Sequence, residues 1–323
     1  MNTRLALYDL ARQHGLAAEA AQSLLGSGGL NDEPAALQRW FWRAVAILAA
    51  SLVGLGIILW LAANWETLGR MGRFALLQAT ILLACIGAAW QPRLRMPLGL
   101  LALFGIGGLL SYFGLTYQTG ADPWQLFVLW AVLALPLCMG TRSDVLWAPW
   151  ALVAMTGLSL WVHAHTAHTW RVERQDLGTF ALAWGAAALL VLALSSALAR
   201  WTGAGIWAMR TAATLGVITV TLSAVWSLFS KDIAPQFTLA IVLFTAAAVL
   251  LSQRRCFDVF VLSAVGLGLN TILVGGLARL LLEGGGSDPI LKLLLLGAVA
   301  AALLAASVSA ITRLAARFSE PAP

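Results

Sequence analysis

Apolar residues along this chain come in runs of about 20, the length a helix needs to cross a bilayer, broken by short polar strings. The runs lie at 44–63, 74–90, 98–117, 124–140, 145–162, 178–199, 211–229, 237–252, 259–282 and 290–312. The strings between them are as tight as Gln91-Pro92-Arg93 and Thr141-Arg142-Ser143-Asp144. Hydrocarbon offers the backbone no hydrogen-bond partner, so each run is expected to fold as a helix that satisfies its own amides. The pattern predicts an all-α polytopic transmembrane bundle of about ten spans, with nine and eleven also compatible. Four regions follow: a helical leader at 1–42, spans one to five at 43–162, an external loop at 163–177, and spans six to ten with a short tail at 178–323.

The first forty residues have no charged-then-apolar segment with a cleavage site, so the first span is expected to serve as an uncleaved anchor. The leader contains a short echo, Gly15-Leu16-Ala17-Ala18-Glu19 and Gly29-Leu30-Asn31-Asp32-Glu33. Each Gly is placed to end one helix in a left-handed conformation, and each Glu to start the next, where the helix dipole favours it. Asn31 or Asp32 is positioned to cap a helix running through Pro34 toward Trp40. Two readings stand: a module that docks a partner, or a solvated lead-in that orients the first span.

Composition narrows the class. Hydrophobic residues are 60% and charged residues 11% of 323, against about 25% charged in soluble domains, and mean hydropathy is +0.85. So little charge cannot coat a water-soluble surface of this size. Disordered and disulfide-scaffold classes fail too, with long apolar runs and only 3 Cys. The net charge of +6 does not indicate a nucleic-acid partner, because the basic residues form no stripe. It reads as topogenic. With the N-terminus in the cytoplasm, thirteen of the 20 Lys and Arg fall on the inner side and seven outside, which places both termini inside.

Trp40, Trp42, Trp65, Trp90, Trp124, Trp147, Trp150, Trp161 and Trp201 fall where runs begin or end, as interfacial anchors do. Gly297, Ala301, Ala305 and Ser309 form a flat stripe in the last run, expected to let helices approach closely. Pro136 and Pro149 are expected to kink spans four and five.

The stretch Val53-Gly54-Leu55-Gly56-Ile57-Ile58-Leu59-Trp60-Leu61-Ala62-Ala63-Asn64-Trp65-Glu66 resembles the signature of a family of bacterial membrane proteins catalogued as a domain of unknown function. That family has a short helical leader before a Gly-rich first span ending in Ala-Asn-Trp. The leader from Gly15 to Glu33 is similar to its leader, and Gly114-Leu115-Thr116-Tyr117-Gln118 with Trp124 and Trp130 resembles its middle segment. The resemblance extends to Trp161. It implies a multi-pass protein of the bacterial inner membrane without an established activity, and a partner membrane protein as a further expectation.

Candidate chemistry is sparse. Asn64, Trp65 and Glu66, with Arg70 and Arg73 beyond, form the densest polar cluster at a span end. Glu66 and Arg70 are four apart and placed to pair on one helix face. The cluster is either a mouth for an anionic head group or small solute, or an interfacial cap. His163, His165 and His168 supply three imidazoles for Zn or Cu, yet on a helix that spacing points them to different faces, so an external polar loop stands beside the metal reading. Asn270, flanked by Gly266, Gly268 and Thr271, is the most central strong hydrogen-bonding side chain. It is expected either to bond a neighbouring helix or to line a cavity. Arg279 is placed to snorkel outward and meet Glu283.

No carboxylate, His or Lys lies centrally in a span, which counts against ion pumping, and no phosphate loop or His-Glu-x-x-His motif is present. No cofactor is expected. The leading expectation is a non-enzymatic subunit or scaffold of a membrane complex, docking a partner through the leader. A permease or facilitator for a neutral or amphiphilic solute is the alternative, and a metal-dependent enzyme using the His loop a third.

Overall fold

The computed structural model describes residues 35–63, 69–117, 120, 122–166, 172–229, 235–254, 256–283 and 289–319, with residues 12–15, 17, 20 and 23 of the leader. The chain divides into two compact units, Met1–Ala63 and Asn64–Pro323. In the first, Gly15 has φ +58° and its N–H bonds Arg12 O at 3.3 Å, a left-handed helix end. Gly29, Asn31 and Asp32 lie outside the described residues. Helix α1 covers Ala35–Ala63. It begins well before the apolar run, so the end of the leader and the first span form one rod of 29 residues, about 43 Å long at 1.5 Å per residue.

The second unit contains α2 (Arg70–Trp90), α3 (Arg95–Tyr117), α4 (Pro123–Thr141), α5 (Asp144–His165), a 3₁₀ turn at Arg174–Asp176, α6 (Leu177–Ala193), α7 (Ile206–Ser227), α8 (Pro235–Leu251), α9 (Val259–Glu283) and α10 (Pro289–Ser319). Among the described residues, nine helices of the chain are long and apolar enough to cross a membrane. Helix α8, with 17 residues, sits at the short limit of about 17 for a spanning helix. The chain is a polytopic helical membrane protein, and its helices fall on the ten apolar runs.

The link between the sixth and seventh spans also differs from the hydropathy pattern. Span six ends at Ala193, and α7 begins at Ile206, about five residues before its apolar run. Between them Leu194–Leu198 turn back, a single helical turn spans Ala199–Thr202, and Gly203 takes φ +68°. Arg200 and the serines of that stretch are polar enough to leave hydrocarbon.

Helix α7 is the hub of this unit, packed against α5, α6, α8 and α9, while α5 also meets α3, α4 and α6. Sequence explains the central position. The buried positions of α7 are Ala208, Ala212, Ala213, Gly216, Val220, Ser223, Ala224 and Ser227, nearly all small, which lets several helices approach it. One core cluster joins α3, α4, α5 and α7 around Leu103, Leu146, Trp147 and Ala208. The other joins α5 to α9 around Phe180, Trp184, Phe244 and Ile272.

Two tryptophans that the sequence places at the interface also bond to backbone carbonyls of neighbouring elements. Trp147 is 2% exposed and donates from Nε1 to Thr202 O at 3.0 Å. Trp150 donates to Ala131 O at 2.7 Å. Buried indoles need an acceptor, and neighbouring helix ends provide it. Trp40, Trp42, Trp90 and Trp201 are exposed, as anchors are. Helix α10 packs chiefly on α9, and much of its small-residue stripe is turned outward: Gly297 has no neighbour within 4 Å of an added Cβ, and Ala301 and Ala305 are exposed.

Candidate functional site

The C-terminal halves of α5 and α7 line a cavity. From α5, Met155, Thr156, Ser159, Val162 and Thr166 recur at helical spacing, so one face presents all five. From α7, Leu215, Ile218, Thr219, Leu222, Ser223 and Trp226 do the same. Val172 and Phe180 close one end. The space enclosed is about 610 Å³, inside the range of roughly 300–1,000 Å³ typical of ligand cavities. Ile218, Leu222 and Trp226 at its rim are 46%, 54% and 52% exposed. They lie within a spanning helix, so the rim opens along the side of that helix and not at its end.

The walls are apolar apart from a few hydroxyls. Thr156 donates to Leu152 O, Thr219 to Leu215 O and Ser223 to Thr219 O, at 2.8, 2.8 and 2.6 Å. Each spends its proton on its own helix. What remains toward the cavity is the Ser159 hydroxyl, lone pairs and apolar surface, and among the described residues no ionisable side chain lines it. Such a site favours a neutral, largely apolar molecule and penalises a charged one.

A recess of about 10 Å³ adjoins the cavity and shares Met155, Ser159, Val162 and Thr219 with it. Trp184 of α6 lines the recess; it is 4% exposed, and among the described residues its Nε1–H meets no hydrogen-bond acceptor. The closed end is tied down from α8, where buried Gln236 donates from Nε2 to Glu173 O at 2.6 Å.

At the opposite end of α5 and α7 lies a polar junction. The Asp144 carboxylate accepts from the backbone N–H groups of Gly205, Trp207 and Ala208 at 3.1, 2.7 and 2.9 Å. An anion from one helix thereby caps the positive end of another. Arg142 donates to Arg200 O. Arg210 and Asp258 form an ion pair at 3.0 Å, Arg210 stacks over Trp207 and Phe260, and Asp258 caps α9 through Val261 N–H at 2.9 Å. Sequence reading passed over Asp144 and Asp258. The available signal was position alone, since each lies at the start of an apolar run where a carboxylate complements a helix N-terminus.

Of the residues singled out by sequence, Asn64, Trp65, Glu66 and His168 lie outside the described residues. Arg70 and Arg73 occupy the first turn of α2, Arg70 exposed and Arg73 8% exposed. His163 and His165 continue α5 through its last turn, two positions apart and therefore on different faces. The His165 ring packs on Trp161 at 4.6 Å, and its Nδ1 lies 2.8 Å from Trp161 O. Among the described residues no group of three or more His, Cys, Asp or Glu side chains is placed to hold one metal ion. Asn270 donates from Nδ2 to Ser307 Oγ of α10 at 2.9 Å. Arg279 pairs with Glu283 at 2.8 Å and donates to Leu228 O.

Residues 8–147 match the family described as Predicted membrane protein (DUF2157). The resemblance read from the Gly-rich first span and Trp124 thus holds over that segment. No curated protein and no solved structure matches the chain. The match ends at Trp147, so the cavity is built by residues beyond it.

Proposed function

We propose that this chain is a non-enzymatic protein of a bacterial inner membrane, both termini cytoplasmic, that takes a neutral, chain-bearing solute from the bilayer into the cavity between α5 and α7. It acts as a facilitator for that solute or as the ligand-holding subunit of a complex. The observation that carries this reading is the cavity: about 610 Å³, largely apolar walls, the hydroxyls of Thr156, Thr219 and Ser223 bonded within their own helices, and a rim of Ile218, Leu222 and Trp226 exposed along a spanning helix. A pump or hydrolase needs titratable groups at its site, and among the described residues none lines this one.

The test is extraction and mass spectrometry of chain-bearing compounds retained after purification in mild detergent. Wild type is expected to retain a neutral compound that Thr156→Phe, with a ring filling the cavity from α5, does not. Equal retention by both, at matched melting temperature, rejects the reading.

A specific observation also favours the subunit role. The row Gly297, Ala301 and Ala305 on α10 is exposed instead of packed on α9, and such rows are where membrane helices meet closely. Co-purification of another membrane protein, lost in Ala301→Leu, supports it.

A further inference from the structure

A second opening, of about 360 Å³, lies between the ends of α7 and α9 and shares no residue with the α5–α7 cavity. Gly275, Ala278 and Leu282 recur at helical spacing, so one face of α9 forms a wall. Val225 and Leu228 form the facing wall. Leu228 is buried, whereas Phe229 and Leu282 are exposed, so the opening has an apolar floor and an apolar rim. Charge sets it apart from the larger cavity. Among the described residues, Arg279 and Glu283 are the ionisable side chains that line it. Arg279 donates from Nε to Glu283 Oε1 at 2.8 Å and from Nη1 to Leu228 O. The Arg279 side chain is largely covered and that of Glu283 exposed.

The two charges sum to zero, and like charges brought together are costly. An anion drawn to Arg279 meets the Glu283 carboxylate, and a cation drawn to Glu283 meets the guanidinium. A head group that carries both signs answers both side chains at once. Depth fits a lipid. Arg279 lies four residues before the end of α9, about 6 Å along its axis, and the head-group layer on each face of a bilayer is about 5–8 Å thick. With α9 spanning the bilayer, the pair falls at the level of lipid phosphates, and the apolar wall of Gly275 and Ala278 begins beside and below it. We propose that this opening is a lipid site for a zwitterionic phospholipid. The lipid phosphate accepts from Arg279, its ammonium donates to Glu283, and the start of an acyl chain lies between Val225 and Ala278.

The experiment titrates lipids onto the full chain in mild detergent and counts bound lipid by native mass spectrometry. Dioctanoyl phosphatidylethanolamine is compared with dioctanoyl phosphatidylglycerol, which has the same phosphate and chains without the ammonium. In wild type the zwitterion is expected to bind about three- to fivefold tighter, the range that a partly exposed ion pair gives. Glu283→Lys, at an exposed position where folding is insensitive, is expected to reverse that order. Ala278→Phe keeps both charges and covers the apolar wall, so both lipids should weaken by about fourfold or more, the equivalent of one buried methylene. Glycerophosphoethanolamine has the head group without chains and is expected not to displace the lipid at equal concentration; displacement makes the ligand a soluble zwitterion and overturns the lipid site. Equal affinity of the two lipids in wild type, or an order unchanged by Glu283→Lys, overturns the proposal. Neither result bears on the α5–α7 cavity, whose own test uses neutral compounds and Thr156→Phe.

Discussion

Replacing Asp144 tests whether the junction between α5 and α7 positions the walls of the cavity. Its carboxylate receives three backbone N–H groups at 2.7–3.1 Å, all from the first turn of α7, where a helix has no internal acceptors for its amides. Ordinary N-caps contribute about 0.5–2 kcal/mol, and hydrogen bonds to a charged group about 1.5–3 kcal/mol each. Those contributions are not additive on one carboxylate that is half-buried, so Asp144→Ala is expected to cost about 2–4 kcal/mol. Asp144→Asn keeps one acceptor oxygen and loses the charge, for about half that. In a chain of this size about 2–4 °C of melting temperature accompanies each kcal/mol, so Asp144→Ala should melt roughly 5–15 °C lower. The assay is thermal unfolding in mild detergent followed by tryptophan fluorescence. Glu283→Ala is the control, since its partner pairs with it at a position 61% exposed, where an ion pair contributes at most about 1 kcal/mol. Asp144→Ala melting with Glu283→Ala would refute the argument, because the amides of α7 would then be satisfied without the carboxylate.

Gly203→Ala should be among the most damaging small substitutions. Its φ is +68°, and the new Cβ would lie 2.4 Å from Arg142 Cβ and 2.8 Å from Arg142 Cα; left-handed backbone alone costs a non-Gly residue about 1–2 kcal/mol, and a melting temperature within 2 °C of wild type would contradict this. Gly107→Ala places its methyl 2.3 Å from the Trp130 ring, displacing the indole that bonds Leu103 O at 2.9 Å, with a loss of about 1–3 kcal/mol read by the same melt. For Asn270 and Ser307, 2.9 Å apart, a double-mutant cycle with Asn270→Leu and Ser307→Ala is expected to give a coupling of about 0.6–1.7 kcal/mol; zero coupling would remove the bond as a link between α9 and α10. Cys256 is exposed in the α8–α9 loop, on the cytoplasmic side in the proposed topology. An impermeant maleimide should label it in inverted vesicles and not in spheroplasts, and the reverse result inverts the orientation.

The helices were legible because their cause is local. Twenty apolar residues in lipid have one way to bond their own amides, so runs such as 98–117 and 259–282 found α3 and α9 almost to the residue. Boundaries failed where another helix intervened: α7 starts at Ile206 because Asp144, more than sixty positions earlier, receives its amides. The bonding partners of tryptophans were hidden for the same reason. At the end of a run an indole N–H finds water or a carbonyl of another helix, and only tertiary structure put Thr202 O beside Trp147.

The cavity lay beyond sequence reading altogether. Thr156, Ser159, Thr219 and Ser223 are ordinary residues of spanning helices, and their hydroxyl bonds to preceding carbonyls are intrahelical. Nothing in their spacing says whether the facing helix touches them or stands off. What the sequence by itself determined is the solvent, the helical class and the approximate spans, because each follows from the hydropathy of a contiguous segment. What the tertiary structure alone decided is which small faces meet at α7, which carboxylate caps it, and which faces of α5 and α7 line a cavity. Those depend on pairs of residues distant in the chain, and no single segment contains both members of a pair.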